Sequence, residues 1–508
     1  MKLNYKRTIL VGFAFFLISA FWIAYEAIIP LILTNHFGLP QSISGAVMSL
    51  DNVLAVIMLP IFGALSDKVC TRLGKRTPFV LFGTIAAVIF FVFLAIIDAY
   101  QVSLLQGTDI VANYRAAAEQ LEAANAALKA AGHIGDQAGI DAARASISAI
   151  EKTMEAIRVE TFNLTLSNVL PLVGFIGVLL LVLISMATFR SPAVALMPDV
   201  TVKPLRSKGN AIINLMGTAG GIVVLVLGMV FDTSGDKYKA FIAYVIAVCM
   251  IMIVGLIVFI TTVRERKWAR EMEEESNRLG IDKVEENTVG NEDKKLSRPE
   301  FISLMLILAS VALWYIGYNS ITSKYSVYAT NVLFFDFNLT MIIAQAAAVV
   351  TYIPIGIIAS KIGRKKTILA GIVMLTVAFF IGNFINFDTP EFVMYPIFIL
   401  AGIGWATINV NSFPMVVELA KGGSVGKYTG YYYTASMAAQ IVAPIASGIL
   451  FDLVGDLLGN ANMGMRYVFF AFGTVFVALS FVTMLFVKHG DSKPTPKKSA
   501  LESLDVED

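Results

Sequence analysis

The pattern of hydrophobic and polar positions divides this chain of 508 residues into long apolar stretches joined by short polar loops. A helix needs about 20 apolar residues to cross a hydrocarbon layer about 30 Å thick. Helix is the expected conformation, because backbone polar groups in lipid must be bonded within their own segment. Hydropathy therefore predicts twelve membrane-spanning helices, at residues 8–33, 44–66, 78–98, 169–197, 209–231, 240–262, 301–323, 340–360, 367–387, 393–416, 428–452 and 466–487.

Composition and charge support a membrane protein and predict its orientation. Hydrophobic residues make up 57% of the chain and charged residues 15%, whereas soluble domains contain about 25% charged residues. Of the 39 Lys and Arg residues, 30 fall in the termini, in loops on the same side as the termini or, in the case of Arg190, near that end of a predicted span. Loops rich in Lys and Arg stay in the cytoplasm. We therefore expect a multi-pass protein of the cell membrane with both termini cytoplasmic.

The apolar stretches are grouped into two halves of six. Residues 1–262 are predicted to form one six-helix bundle, with an external insertion at 99–168 that is Ala-rich and carries periodic Leu and Ile. This periodicity predicts one or two helices, and a hairpin without a role in transport is the simplest interpretation. A mixed-charge cytoplasmic linker at 263–299 precedes the second bundle at 300–487, and residues 488–508 form a polar cytoplasmic tail.

An internal repeat relates the two halves. The loop after the second span runs from Pro60 to Arg76, and a similar run of proline, glycine, serine and basic residues, from Pro354 to Lys366, follows the eighth span. Parallel repeats of this kind form pseudo-symmetric bundles with a cavity between them at the membrane midplane. The expected fold is therefore an all-α membrane protein of twelve transmembrane helices in two pseudo-symmetric six-helix bundles.

The loop from Gly63 to Phe79 reads G-x-x-S-D-K-x-x-x-R-x-G-K-R-x-P-F. This pattern resembles the loop motif of the major facilitator superfamily. Its spacing is similar to that of the sucrose/proton symporters and of the glycoside–pentoside–hexuronide:cation symporters. The segment from Pro192 to Asp199, followed by Gly209-Asn210-Ala211, agrees with this resemblance. The resemblance implies a transporter that exposes its central site to each side of the membrane in turn.

The resemblance also implies a latch that controls opening on the cytoplasmic side. Asp67 would bond the N-terminus of the eleventh span near Tyr428, where free N–H groups carry partial positive charge. The arginines of the motif would pair with carboxylates at the ends of other spans. Alternatively, the basic residues only set the topology. The candidate gating residues, none of which is expected to touch substrate, are Gly63, Asp67, Arg72, Gly74, Arg76, Asp199 and Glu418.

Three charges interrupt the predicted spans, and each must have a partner, a water-filled cavity or a function. Glu26 is the first candidate for binding the coupling proton, and Asp51 is the second. Alternatively, Glu26 is a structural carboxylate fixed to Arg190 or to a helix carbonyl, and Asp51 is a packing residue. Arg190 can donate to substrate hydroxyls, but if its helix ends near residue 190 it only anchors the chain at the interface.

The coupling ion is expected to be a proton. The melibiose-type carriers hold sodium with two carboxylates on the second span, and the matching positions here are Ala55 and Leu59. Sodium needs hard oxygen ligands, which these side chains lack. The family's sodium site is therefore not carried over to this chain.

Aromatic and amide residues recur four apart within the spans, which places them on shared helix faces. Sugars need such a mixture, because rings stack on their C–H faces and polar groups bond their hydroxyls. Alternatively, Trp and Tyr mark the membrane interface. Together with Arg190, the candidate substrate-binding residues are Trp22, Tyr25, Asn214, Trp314, Tyr318, Asn319, Gln345, Trp405 and Asn409.

The sequence lacks a phosphate-binding loop of the form G-x-x-x-x-G-K-[ST], and its three His and two Cys suggest no metal cluster. We therefore expect no enzyme activity, no cofactor and no nucleic-acid partner. The prediction is a monomeric secondary transporter in the lipid bilayer, a proton-coupled sugar symporter that binds a small-molecule substrate and protons. A multidrug/proton antiporter and a facilitated sugar uniporter remain as alternatives. A sensor or polytopic enzyme would need a soluble domain or a catalytic cluster, and neither is apparent.

Overall fold

The computed structural model describes residues 4–134, 136–202, 205–278, 296–386, 389–419 and 425–490. These residues are almost wholly helical, and no strand occurs among them. Within these ranges, eleven helices are long and apolar enough to cross a membrane, by length and composition. The twelfth predicted span, 340–360, falls in the helix Phe337–Ile362, whose apolar stretch is Phe337–Tyr352. The prediction of an all-α membrane protein is confirmed.

Fifteen long helices, numbered in chain order, are found in the described residues. They are α1 Tyr5–Leu31, α2 Gln41–Lys68, α3 Thr77–Gln106, α4 Ile110–Ile134, α5 Gln137–Ser167, α6 Leu170–Asp199, α7 Arg206–Val230, α8 Ile242–Thr262, α9 Glu265–Arg278, α10 Arg298–Thr322, α11 Phe337–Ile362, α12 Arg364–Gly382, α13 Met394–Val417, α14 Val425–Leu458 and α15 Ala461–Leu485. Shorter helical pieces are π turns at Ile32–His36 and Ala329–Leu333, the helix Tyr325–Tyr328 and the 3₁₀ turn Glu391–Val393.

Successive spans run in opposite directions, so their ends form two faces. We call the face that holds the start of α1 and the loop between α2 and α3 the basic face, because it carries Lys68, Arg76 and Arg364. The opposite face holds α4 and α5 and is called the hairpin face. The inserted segment 99–168 consists of the end of α3 together with these two helices.

The spans form two six-helix bundles. In the first bundle α1 packs on α7 and α8, and α3 packs on α6 and α8. In the second bundle α10 packs on α14 and α15, and α13 packs on α11 and α12. The bundles are joined mainly where α2 packs on α14 and α7 packs on α11, and α1 also contacts the short helix Tyr325–Tyr328. This arrangement confirms the predicted pair of bundles.

Small residues bring α2 and α14 together near the hairpin face. A Cβ atom on Gly45 would lie 2.0 Å from the carbonyl oxygen of Pro444, and one on Gly448 would lie 2.4 Å from that of Gln41. Glycines of this kind allow the backbones of membrane helices to touch. Toward the basic face α2 becomes exposed, and 64% of the Asp67 side chain is accessible. The bundles therefore meet at the hairpin face and separate toward the basic face.

The linker helix α9 is docked on the first bundle at the basic face. Its Glu265 carboxylate, itself buried, accepts hydrogen bonds from the backbone N–H groups of Lys75 (2.6 Å) and Thr77 (2.8 Å) and from the Thr77 hydroxyl (2.7 Å). Glu265 therefore caps the N-terminus of α3. Gly74 has φ +128°, and a Cβ atom there would overlap the Glu265 carboxylate. Glycine is thus required at this position of the motif.

Removal of this cap should destabilise the protein. We expect Glu265→Ala to lower the free energy of unfolding by about 2 kcal/mol, because the first N–H groups of α3 lose their acceptor. Thermal unfolding in detergent, followed by intrinsic fluorescence, measures the effect. The control is Glu273→Ala, which removes an exposed carboxylate from the same helix. Equal melting temperatures for the two variants would contradict this role.

Candidate functional site

A cavity of ≈ 240 Å³ lies between the two bundles. The first bundle contributes Ile23 and Glu26 from α1 and Thr218 from α7. Most of the wall comes from the second bundle and is apolar or aromatic. Its lining residues there are Tyr318, Ile321, Thr322, Tyr325, Met341, Ala344, Gln345, Ala348, Val349, Tyr352, Phe379, Ile397, Phe398, Ala401, Gly402, Trp405 and Phe470.

Glu26 is thus placed at the cavity and not against lipid. α1 crosses the second bundle at this height, where the Ser326 hydroxyl donates to the backbone carbonyl of Glu26 at 3.3 Å. Glu26 faces Tyr318 across the cavity, within electrostatic range. A carboxylate beside a cavity between the bundles can be hydrated from it, which lowers the cost of a charge at membrane depth.

Asp51 and Arg190 form a charge cluster with Glu26. Arg190 is within electrostatic range of both carboxylates, and among the described residues it forms no ion pair with either. The Asp51 carboxylate accepts from the Asn52 backbone N–H at 2.6 Å and from its amide at 2.7 Å. Because α6 continues to Asp199, Arg190 lies inside the helix and not at its end. The alternative that Arg190 only anchors the chain at the membrane interface required the helix to end near residue 190, and the structure does not support it.

Two unpaired donors adjoin this cluster. The guanidinium carbon of Arg190 lies 5.3 Å from the centroid of the Trp22 ring. The indole nitrogen of Trp22 and the hydroxyl of Tyr25 are buried and have no hydrogen-bond partner within the described part of the chain. Buried polar groups of this kind are costly when unpaired. The first bundle therefore offers donors and acceptors that a bound polar molecule or water can satisfy.

An aromatic platform forms the opposite wall. The rings of Tyr318 and Trp405 stack with centroids 3.8 Å apart and planes 7° apart. Tyr315 meets the Trp405 ring edge-on at 5.5 Å. Tyr352 bonds the side chain of Asn409, and Gln345 is the amide that lines the cavity. Flat rings beside fixed polar groups suit a ligand with both apolar faces and hydroxyls.

Other sequence-predicted substrate residues lie elsewhere. Trp314 is only 1% exposed and packs in the core beside Tyr315, so its prediction as a cavity residue is corrected. The Asn319 amide donates to the carbonyl of Tyr315 at 2.8 Å and does not line the cavity. Asn214 is exposed, one turn before Thr218 on the same helix face and nearer the basic face.

Sequence reasoning missed two tyrosines that line the cavity. Tyr352 lies seven residues after Gln345 on α11, two helical turns away and so on the same face. That signal was present in the spacing, but the pairs that were considered were only four residues apart. Tyr325 begins a separate short helix after the end of α10, so helical spacing from Tyr318 does not predict its position.

The gating candidates cluster at the basic face, away from the cavity. The side chain of Arg76 bonds Asp67 at 2.5 Å, Asp199 at 2.8 Å and the Ser66 hydroxyl. Gly63 lies close to Ser191 on α6, because a Cβ atom there would be 2.9 Å from the Ser191 hydroxyl oxygen. The arginine thus ties the end of α2 to the end of α6.

The remaining gating candidates lie apart from this group. Glu418 pairs with Arg364 at 2.8 Å in the second bundle, and Arg72 is exposed in the loop before α3. Residues 420–424, which precede α14, fall outside the described residues, as does the side chain of Lys427. The predicted contact between Asp67 and the N-terminus of this helix therefore concerns a region that the structure does not describe.

Comparisons with known proteins agree with this architecture. Residues 329–505 match the family model described as Major Facilitator Superfamily, and residues 10–111 match the one described as MFS/sugar transport protein. No curated protein matches the chain.

Three solved structures share the fold. The inward-open xylose transporter XylE from E. coli is 14% identical, with a TM-score of 0.60 over 99% of this chain and 100% of that one. A D-xylose-proton symporter is 15% identical, with a TM-score of 0.58 over 96% and 99%. A bacterial homologue of the human drug peptide transporters PepT1 and PepT2 is 12% identical, with a TM-score of 0.58 over 96% and 98%.

The separation of the bundles predicts access to the cavity from one face. In a variant without Cys70 and Cys249, we expect Asn214→Cys to react with a membrane-impermeant maleimide added at the basic face. The same reagent added at the hairpin face should react at least about tenfold more slowly, because the bundles are in contact there. Ile213→Cys is the control, since the side chain of Ile213 is only 1% exposed. Equal labelling of Asn214→Cys from both faces would contradict the arrangement.

Proposed function

Because the chain belongs to the major facilitator superfamily, which consists of membrane transporters and not of enzymes, we propose that it is a proton-coupled sugar symporter. The observation that carries the proposal is the position of Glu26, on the wall of the central cavity opposite the stacked rings of Tyr318 and Trp405. An ionisable side chain on a transport pathway is the usual device of proton-driven carriers.

The aromatic platform supports a sugar as the substrate. A sugar ring presents C–H groups to an aromatic face and hydroxyls to polar side chains around its rim. The second bundle can hydrogen-bond these hydroxyls through Gln345 and through Tyr352 with its partner Asn409. Trp22, Tyr25 and Arg190 offer donors from the first. The match of residues 10–111 to the MFS/sugar transport protein model is consistent with this class of substrate.

Proton coupling would follow from the charge cluster. Protonation of Glu26 removes one of the two carboxylates near Arg190, so the loaded site carries less charge when it is closed off from water. A smaller charge lowers the cost of that occluded state. Asp51 is the second candidate in this role, because it lies in the same electrostatic neighbourhood. Substrate and proton would then cross together.

The basic face would be cytoplasmic, by the distribution of Lys and Arg. In this orientation the structure is closed on the outside of the cell membrane, and α9 and the tail 488–508 lie in the cytoplasm. The two bundles, 1–262 and 300–487, would rock as a monomer about the central cavity. Closure at the basic face would require the group of Asp67, Arg76 and Asp199 to meet the start of α14.

A multidrug/proton antiporter is the second candidate. It is favoured by the mainly apolar and aromatic lining of the cavity, which includes Phe379, Phe398 and Phe470. Aromatic rings beside one carboxylate can also hold an organic cation. The two candidates differ in their substrates and in the direction of coupled movement.

Loss of the Glu26 carboxylate should uncouple transport. In proteoliposomes with an inward proton gradient, we expect Glu26→Gln to abolish uphill uptake of the transported sugar, identified from a panel of mono- and disaccharides. Sugar exchange without a gradient should stay within about twofold, because exchange needs no net proton movement. Glu119→Gln, an exposed carboxylate of α4, is the matched control. Uphill uptake that survives Glu26→Gln would exclude this residue, and a parent protein that only equilibrates sugar would be a uniporter.

The aromatic platform gives a second test. We expect Trp405→Ala to raise the apparent KM for the sugar about tenfold, through the loss of about 1.4 kcal/mol of stacking. Trp405→Phe should retain most of the affinity, since it keeps a ring. Exchange assays over a range of sugar concentrations measure both. Proton-driven export of tetraphenylphosphonium without movement of any sugar would instead favour the antiporter.

A further inference from the structure

The contact between the bundles at the hairpin face contains a buried lysine and a half-buried aspartate that the proposed transport mechanism does not use. Asp452 lies on α14, near its hairpin-face end, and Lys324 follows the end of α10. Both belong to the second bundle, and both bond the first turn of α2 in the first bundle. Their partners are separated from them by at least 280 positions in the sequence.

Asp452 caps α2 from the other bundle. Its carboxylate accepts from the backbone N–H of Gln41 at 2.9 Å and from that of Ser42 at 2.7 Å, one oxygen to each. The residue before the helix, Pro40, makes no side-chain cap of its own. A helix N-terminus needs acceptors for its free N–H groups and favours a negative charge. For α2, the Asp452 carboxylate of the other bundle supplies both the acceptors and the negative charge.

Lys324 bonds the same turn from another side. Its ammonium donates to the Ser44 hydroxyl at 2.6 Å, to the Gln41 side-chain oxygen at 3.1 Å and to the Gln41 carbonyl at 3.3 Å. The side chain is 0% exposed. Burial lowers the pKa of Lys324 to about 7, although the charge of Asp452 opposes this shift. The lysine therefore keeps these protein partners only while the two bundles remain in contact.

The helix contact beside these groups is tight, and a cavity lined by Gln41 and Asp452 adjoins it. Gly45 and Gly448 allow direct backbone contact on either side of the capped turn. Polar groups buried in such a contact are stabilised by one another, and separation of the bundles exposes all of them together. Opening of the hairpin face must break every one of these bonds at once.

We propose that Asp452 and Lys324 form a latch on the first turn of α2 that holds the hairpin face closed and sets the balance between the two access states. The latch would mirror the one expected at the basic face, where Asp67 at the other end of α2 would cap α14. Each helix of the pair would then cap its partner at the closed face. The inference rests on alternating access, but it does not depend on the identity of the substrate.

The test measures opening without substrate. In a variant without native cysteines, spin labels at Ser103 on α3 and Leu457 on α14 report the separation of the bundles at the hairpin face; both side chains are exposed. Pulsed electron paramagnetic resonance in nanodiscs gives the distance distribution. We expect Asp452→Asn to raise the ratio of open to closed populations about tenfold, which corresponds to 1.4 kcal/mol.

The matched control is Asp456→Asn, which removes the same charge one turn further along α14, where the side chain is exposed. It should leave the distances unchanged. Lys324→Met keeps an unbranched chain but removes the donors, and it should also favour opening. The double variant should resemble the stronger single variant, because the two groups act on one turn and their effects do not add.

A second label pair separates opening from misfolding. Labels at the exposed residues Arg72 and Lys361 span the basic face. True opening of the hairpin face shortens this second distance in the same sample, whereas misfolding broadens both distance distributions.

Unchanged distance distributions in Asp452→Asn, or equal changes in Asp456→Asn, would overturn the proposal. A hairpin face that stays fully closed in Lys324→Met would overturn the role of the lysine. Because no sugar is present, these outcomes are independent of the proposed function.

Discussion

A charged side chain inside an apolar helix bundle is stable only where water, a backbone dipole or an opposite charge replaces the solvent that it has lost. The arrangement of this protein depends on that constraint. Glu26 lines the central cavity, with Asp51 and Arg190 within electrostatic range of it, while side chains on the outer surface such as Phe82 and Val350 are apolar. The cavity is thus the place where the chain can keep charges at membrane depth.

The same constraint acts at the ends of the helices. Arg76 is buried at the basic face, where Asp67 and Asp199 neutralise it. Glu265 is buried in the same region and satisfies the start of α3. Asp452 does so for the start of α2 at the other face. Each of these bonds joins different helices. When one helix moves, the charge leaves its protein partner and is hydrated instead. This exchange suits a molecule that must switch between two states.

Much of the fold could be predicted from the sequence. Membrane crossing needs a minimum length of apolar residues, so hydropathy alone placed most span ends to within a few residues; the predicted segment 169–197, for instance, is the helix Leu170–Asp199. Two helices extend further than predicted: α3 continues to Gln106, beyond the predicted end at 98, and α14 continues to Leu458, beyond 452. The helical insertion was predicted from its periodic Leu and Ile. The docking of α9 on the first bundle was not predicted. Its mixed-charge sequence reads the same whether the helix is solvated or whether Glu265 is buried against a distant loop, as it is here.

The candidate site was predictable only in part. Charges within apolar segments are rare and costly, and for this reason the sequence alone singled out Glu26, Asp51 and Arg190. Helical spacing showed which residues share a face but not which face meets the cavity, so Trp314 was placed there in error while Tyr352 was missed. The contacts of Lys324 and Asp452 with Gln41 were decided by tertiary structure, because they join residues that only the docking of the two bundles brings together. The sequence determined which side chains need a polar environment, and the packing of the helices decided where it is.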